Sequence, residues 1–486
     1  MFKNKKSKLI IVFSIIFIII GYFSLTLVIG NDKFKHFFSF LDPKQKLIIK
    51  KYIFPFRHIS ELEIANEAKQ KKILKRESMI RDFKADIVKL LLELERVTKI
   101  TSKDIPLSKK TSLKLSNDKV LEKYKLEGGF YYGINLVQPG SGYIDFYEDN
   151  IFVLSGRGVL AYRKNINDDG VNFDDGVNFK QIKNNLDDFI SIKQYEKHEW
   201  FSLKDILFFK NQVFVSYTEE IKEDCWNTSI LYGDINYENI KFKKFFSVNE
   251  CVHSIENIDK EFNGHQSGGR ITALDDNHLL FSVGAYRSRY LAQDKKTING
   301  KVIKINMINR EYEIVSMGHR NPQGLYFDKE NNIILESEHG PRGGGELNLI
   351  DLDNTSDDIP NYGWPVVSYG KHYGGVVPRN RAKYKKYPLY KSHTKYGFIE
   401  PLKDFTPSIG ASEIVKIAKN KYVLASLGRS TPGEKSLFFF ELSNEKKLIK
   451  FEQVKVFERI RDLRFKDNKL YLFMENTASI GVINLN

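Results

Sequence analysis

Cysteine is nearly absent from this chain. There are two among 486 residues, Cys225 and Cys251, with no CxxC or other spacing of metal-binding type, so a metal centre built on cysteine clusters is not indicated. Tryptophan (three) and proline (13) are also sparse, whereas aromatic residues make up 13%, so the aromatic content is Phe and Tyr, residues that favour strands. A surplus of charge is missing from most of the length. The net charge of +15 is concentrated in residues 1–127, with 28 Lys+Arg against 14 Asp+Glu; the remaining 359 residues carry 48 against 47. A nearly neutral main domain excludes a broad basic face, and with it a nucleic-acid partner.

One long apolar run is present. Residues 9–30, LIIVFSIIFIIIGYFSLTLVIG, are uncharged, long enough to span a bilayer, and followed by no clean small-x-small cleavage site. They read as an uncleaved anchor. Lysines flank both ends, so charge alone leaves the orientation open. A short tail before the anchor and a long domain after it favour export to the periplasm or cell exterior. In such a compartment Cys225 and Cys251, both in polar surroundings, are expected to pair; the alternative is two inert thiols.

Three regions follow. Residues 1–30 are the tail and transmembrane anchor, 31–127 a basic helical stalk and linker, and 128–486 the main domain. Within the stalk, Ile73, Ile80, Ile87 and Leu94 recur every seven residues, and Phe83, Leu90 and Val97 follow three beyond the last three. This predicts a helix over residues 60–97, packed on its own domain or self-associating through the seam. Residues 98–127 read as a polar linker. In the main domain a strand of apolar alternation follows a D/K-N turn six times, at Asn150, Asn211, Asn277, Asn332, Asn420 and Asn468. Intervals of about 61, 66, 55, 88 and 48 residues fit the blades of a propeller lengthened by loop insertions. The fold class is therefore all-β, a six-bladed β-propeller preceded by a transmembrane helix and a helical stalk.

The most informative stretch runs from Gly318 to Gly375. Leu325–Asp328 and Ile333–Ser337 alternate like paired strands, with Lys329–Asn332 as their turn. Beyond them Glu338-His339-Gly340-Pro341-Arg342-Gly343-Gly344-Gly345-Glu346 is too rich in glycine to be core. Its backbone carbonyls suit a hard cation such as calcium. Before the third repeat, His265 stands among small, flexible neighbours in NGHQSGGR, a candidate general base.

GHRNPQGL, SEHGPRGG.E.N and NYGWPVVSYG..Y together resemble the signature of the soluble PQQ-dependent sugar dehydrogenases, the glucose/sorbosone dehydrogenase family. The resemblance spans about residues 263–486, including Arg459-Ile460-Arg461-Asp462, and is loose in the first two blades. It implies a propeller with pyrroloquinoline quinone (PQQ) and calcium at its mouth, oxidising an aldose by hydride transfer from the anomeric carbon. It further implies His265 as the base, Arg320, Asn321 and Arg429 as cofactor contacts, and Gly340, Pro341, Glu346 and Tyr362 as calcium ligands. Two positions depart from the family: Ala285 and Gly345 stand where acidic residues are usual. A non-catalytic propeller that binds a carbohydrate or protein is the alternative they favour.

Overall fold

A computed structural model describes residues 41–53, 55–101, 104–127, 141–164, 173–197, 201–354, 356–373, 385–428 and 435–486. The apolar run at 9–30 lies outside them, and among the described residues no helix is long and apolar enough to cross a membrane. The chain divides into two units, Met1–Asp86 and Ile87–Asn486.

The first unit is helical where described. Asp42 caps helix Pro43–Ile53, its carboxylate accepting the N–H groups of Lys44 at 2.7 Å and Gln45 at 2.9 Å, with Pro43 in the first helical position. A second helix, Pro55–Thr101, is longer than the sequence predicts and continues into the second unit. Past Pro55 it contains neither proline nor glycine to interrupt it. Its seam residues Ile73, Ile80, Phe83 and Leu90 are exposed.

The second unit is a ring of six sheets, antiparallel except where Asn239–Ile240 joins the outer edge of one of them in parallel. Their innermost strands are Gly142–Tyr147, Leu203–Phe209, Gly268–Asp275, Pro322–Asp328, Ala411–Ala418 and Ile460–Lys466, here the first to sixth blades in that order. Each lies beside the next, and the sixth returns to the first. All six turns anticipated from sequence lead into a blade's second strand. The last is a tight turn with Asp467 and Asn468 both at positive φ, a conformation that Asn and Asp tolerate. Pro322–Asp328 pairs with Ile333–Glu338 as expected. Period-two alternation supplies apolar residues to both neighbours of a blade. Thus Ile144, Val153 and Ala161 of the first blade pack with Tyr471, Phe473 and Ile480 of the sixth.

One expectation is corrected here. Residues 111–125 are not linker: Thr111–Lys114 and Val120–Lys125 are strands, and the second pairs with Ser479–Asn484 to complete the sixth blade. Cys225 and Cys251 form a disulfide, Cys225 buried and Cys251 half-buried. Across a sequence separation of 26 residues, chain-entropy reasoning gives such a bond about 3.5 kcal/mol.

At the centre, Arg270 of the third blade reaches every other blade. It donates to Asp205 and Asp462 at 2.9 Å each, to the Arg461 carbonyl at 2.7 Å and to the Gln323 carbonyl at 2.7 Å. Its Nε lies 3.1 Å from Glu413, and its guanidinium sits over the Tyr143 ring. Arg464 backs this hub, paired with Asp145 and Asp462 at 3.0 Å.

Candidate active site

At one mouth of the ring lies a cavity of about 480 Å³, within the range usual for small-molecule sites. Every blade contributes to its wall or to the loops around it. His265 lines it, just ahead of the third blade's inner strand. Its backbone N–H donates to Asn263 Oδ1 at 3.1 Å, and the adjacent Gln266 carbonyl packs where a Cβ on Gly284 would fall, 2.2 Å away. Only glycine at 284 permits that approach, so the Ser-Val-Gly segment fixes the histidine loop from behind.

Arg320 and Asn321 line the same cavity from the start of the fourth blade. Arg320 Nη1 donates to the His339 carbonyl at 2.6 Å, its guanidinium lies over Trp364, and burial lowers it to about 10. Asn321 Oδ1 accepts from the Gly268 N–H at 3.2 Å and from Gln323 Nε2 at 3.1 Å, tying the third blade to the fourth. The glycine-rich loop closes tightly on itself. A Cβ on Gly340 would fall 1.7 Å from the Gly344 carbonyl oxygen, so no other residue fits there. Gly340, Pro341, Arg342 and Gly343 all face the cavity.

Of the remaining residues singled out from sequence, Arg429 lies outside the described residues. Glu346 and Tyr362 do not line the cavity. Glu346 is paired across the sheet with Glu338 and lies 3.4 Å from His393, while the Tyr362 hydroxyl donates to the Leu349 carbonyl. Ala285 is buried beside Ala292, Trp364 and Leu389, an apolar setting; its N–H donates to the Arg320 carbonyl at 2.9 Å.

The structure adds residues to which sequence reasoning gave no role. Arg459 and Arg461, alternate residues at the start of the sixth blade, both reach Glu475, at 2.8 and 2.7 Å. Burial alone would raise that carboxyl, but Arg461 and Arg459 outweigh it and hold it down at about 2. Arg459 also donates to the carbonyls of Leu427 and Gly428, and Arg461 to Gln323 Oε1 at 3.1 Å. Lys204 of the second blade is buried, which pushes it down to about 7, with Arg461 acting in the same direction. His339 falls to about 3, chiefly by burial and then by the nearby arginines, so its imidazole is neutral. The alternation in RIRD was a usable signal for the arginine pair; a lone lysine in SLKD offered none.

The lining therefore presents Lys204, Arg320, Arg342, Arg459 and Arg461 and, among the described residues, no carboxylate. Two of its polar atoms, His339 Nε2 and Arg461 Nε, are buried with no hydrogen-bond partner. Such a wall fits a ligand bearing several carboxylates and carbonyl oxygens. Beside it, carbonyls of the Gly340–Pro341 turn are oxygen donors of the type a hard cation takes.

The chain is similar to known proteins. The family described as Glucose / Sorbosone dehydrogenase matches residues 205–482. Aldose sugar dehydrogenase YliI of Escherichia coli is 29% identical over 177 residues, 34% of this chain and 44% of that protein. Quinoprotein glucose dehydrogenase B of Acinetobacter calcoaceticus is 31% identical over 146 residues, 24% of this chain and 29% of that protein. The chain spans about half or less of the length of the curated relatives it matches. The crystal structure of the soluble aldose sugar dehydrogenase from Escherichia coli in the apo-form superposes with a TM-score of 0.55 at 20% identity, covering 75% of this chain and 98% of that one, a likeness of fold.

Proposed function

The chain belongs to the glucose/sorbosone dehydrogenase family, and from that premise we propose that it oxidises an aldose at the anomeric carbon, using pyrroloquinoline quinone and calcium. The observation that carries the reading is the cavity wall: five cationic side chains, no carboxylate among the described residues, and His265 on the same surface. Bound there, the quinone would supply a two-electron acceptor for hydride, and calcium would polarise it as a Lewis acid.

The chain's own residues have separate tasks in this reading. Arg320 and Asn321 bind and orient the cofactor from the fourth blade, Arg461 and Lys204 offset its negative charge, and the carbonyls of Gly340 and Pro341 hold calcium. Arg429 is kept as a further cofactor contact. Glu346 and Tyr362, set off the cavity, are not assigned to the ion at that turn. His265 accepts the proton of the anomeric hydroxyl at an imidazole nitrogen as the hydride leaves the carbon. One observation favours a second reading, a propeller that binds without turnover: Ala285 supplies no carboxylate at the mouth and is packed among apolar side chains.

Titrating the purified apoprotein with the quinone, with and without calcium, separates the two. Saturable change in the quinone absorbance, tightened by calcium and followed by aldose-dependent reduction, is expected. Absence of saturable binding would sink the dehydrogenase reading in favour of the binding module.

Attachment to a membrane through residues 9–30, with the propeller in the periplasm or cell exterior, belongs to the same proposal, as does self-association through the stalk helix. Support comes from the uncharged run of 22 residues and from the exposed seven-residue seam. Alkaline carbonate should leave the full-length chain in the membrane pellet; its release would overturn the anchor.

A further inference from the structure

Next to the Arg320–Asn321 turn, and outside the cavity lining, three ionisable side chains are packed out of solvent. His319 and Glu336 are 0% exposed and Glu338 is 3% exposed. One ligand atom from each lies within 4.8 Å of the others. His319 Nδ1 is 3.5 Å from a Glu336 oxygen. Among the described residues, no lysine or arginine forms an ion pair with either glutamate.

The polar accounting at this spot is incomplete. His319 Nδ1 and Glu336 Oε1 are buried with no hydrogen-bond partner, and so is Asn348 Oδ1, whose amide nitrogen donates to Glu336 Oε2 at 2.9 Å. Leaving such groups unsatisfied in a protein interior is unfavourable by about 1–3 kcal/mol each. The other imidazole nitrogen, Nε2, is 2.8 Å from Ser316 Oγ. A proton on Nε2 donated to that hydroxyl leaves the Nδ1 lone pair free beside Glu336, with the ring nitrogen opposite it hydrogen-bonded as in metal-ligating histidines.

We propose that His319 Nδ1, Glu336 and Glu338 hold a buried divalent first-row transition ion of the Mn²⁺ or Zn²⁺ kind, separate from the oxygen-only turn at Gly340 and Pro341. An imidazole beside two carboxylates selects such ions, whereas calcium takes oxygen ligands. Glu346 and the Tyr362 ring border the site but supply none of the three donors. Its seclusion from solvent gives it no open position for substrate, so its task is to lock the turn. Glu338 makes the link, because its carboxylate also accepts the N–H groups of Arg320 and Asn321. Filling the site fixes the backbone from which both residues reach into the cavity.

The test uses the full chain stripped with a chelator and reloaded with Mn²⁺, Zn²⁺ or Ca²⁺ alone. No quinone or sugar is present, so its outcome is independent of the dehydrogenase reading. The expected result is one equivalent of bound Mn²⁺ that Zn²⁺ displaces, with electron spin echo modulation from one directly bound imidazole nitrogen. Glu336→Gln should weaken Mn²⁺ binding ~10-fold or more without changing calcium binding, and His319→Gln should remove the nitrogen signal. Stoichiometric binding of calcium only, no bound transition ion, or undiminished Mn²⁺ affinity in folded Glu336→Gln would each overturn the assignment. Should the variants fail to fold, anomalous scattering from Mn²⁺-loaded wild-type crystals decides: a peak away from these three atoms excludes the site.

Discussion

Replacing His265 with alanine should lower aldose turnover about a hundredfold or more, the usual size of a general-base contribution, while quinone affinity changes little. The separation follows from the geometry. His265 reaches the cavity from the loop ahead of the third blade, whereas Arg320 and Asn321 enter from the fourth and the arginine pair from the sixth. Arg320→Ala should do the reverse and weaken the quinone titration itself, since it removes a buried guanidinium that also holds the His339 carbonyl. Proton acceptance requires neutral imidazole, so wild-type kcat/KM should climb from acid toward neutral pH and the alanine variant should lose that limb. Equal turnover in a variant that still binds quinone would remove His265 from the mechanism and leave the cavity assignment standing.

Arg270→Met is expected to produce the largest loss of stability of any single change. The substitution leaves Asp205, Glu413 and Asp462, all buried, with Arg464 as their remaining shared counter-charge. Removing one partner of a buried ion pair typically destabilises by 3–5 kcal/mol, because the charge left behind is uncompensated, and here three carboxylates are affected. Arg270→Lys should recover little: a point charge cannot donate at once to two carboxylates and two carbonyls on separate blades. Urea denaturation of the folded chain and the two variants measures this directly. A methionine variant within about 1 kcal/mol of the parent would mean that the hub is not what holds the blades in register.

How much of this was legible in the sequence depends on how local each feature is. Period-two alternation and the Asp/Lys-Asn turns are written within ten residues, so all six second strands are legible in the sequence. The Gly-rich loop was legible for the same reason, since the need for glycine at 340 arises from a contact four residues away. Features that join distant segments were not. Val120–Lys125 looks polar because two of its six residues, Leu121 and Tyr124, are buried, one on each face, and its partner strand is at the other end of the chain. Lys204 sits in an ordinary strand, and only the ring brings it to Arg461. Glu475 gives no sign in sequence that two arginines of the neighbouring strand will clamp it. The His319–Glu336–Glu338 cluster combines a loop residue with two positions on one face of a strand, and that alternation is visible only once the strand is known.

The late strand of the sixth blade has a kinetic meaning. The other five blades can form around hairpins whose strands adjoin in sequence, Asn239–Ile240 alone joining the first from beyond the second, but the sixth waits for Leu121 to meet Ile483, a contact spanning roughly 360 residues. Loop-closure entropy grows slowly, about 0.6 kcal/mol for each doubling, so this junction is roughly 3 kcal/mol harder to close than a contact spanning about a dozen residues. The ring is therefore a fold whose final seam cannot be made until the last strand has been synthesised. Until then the edge of Val120–Lys125 that awaits Ser479–Asn484 stays unpaired and open to pairing with other chains.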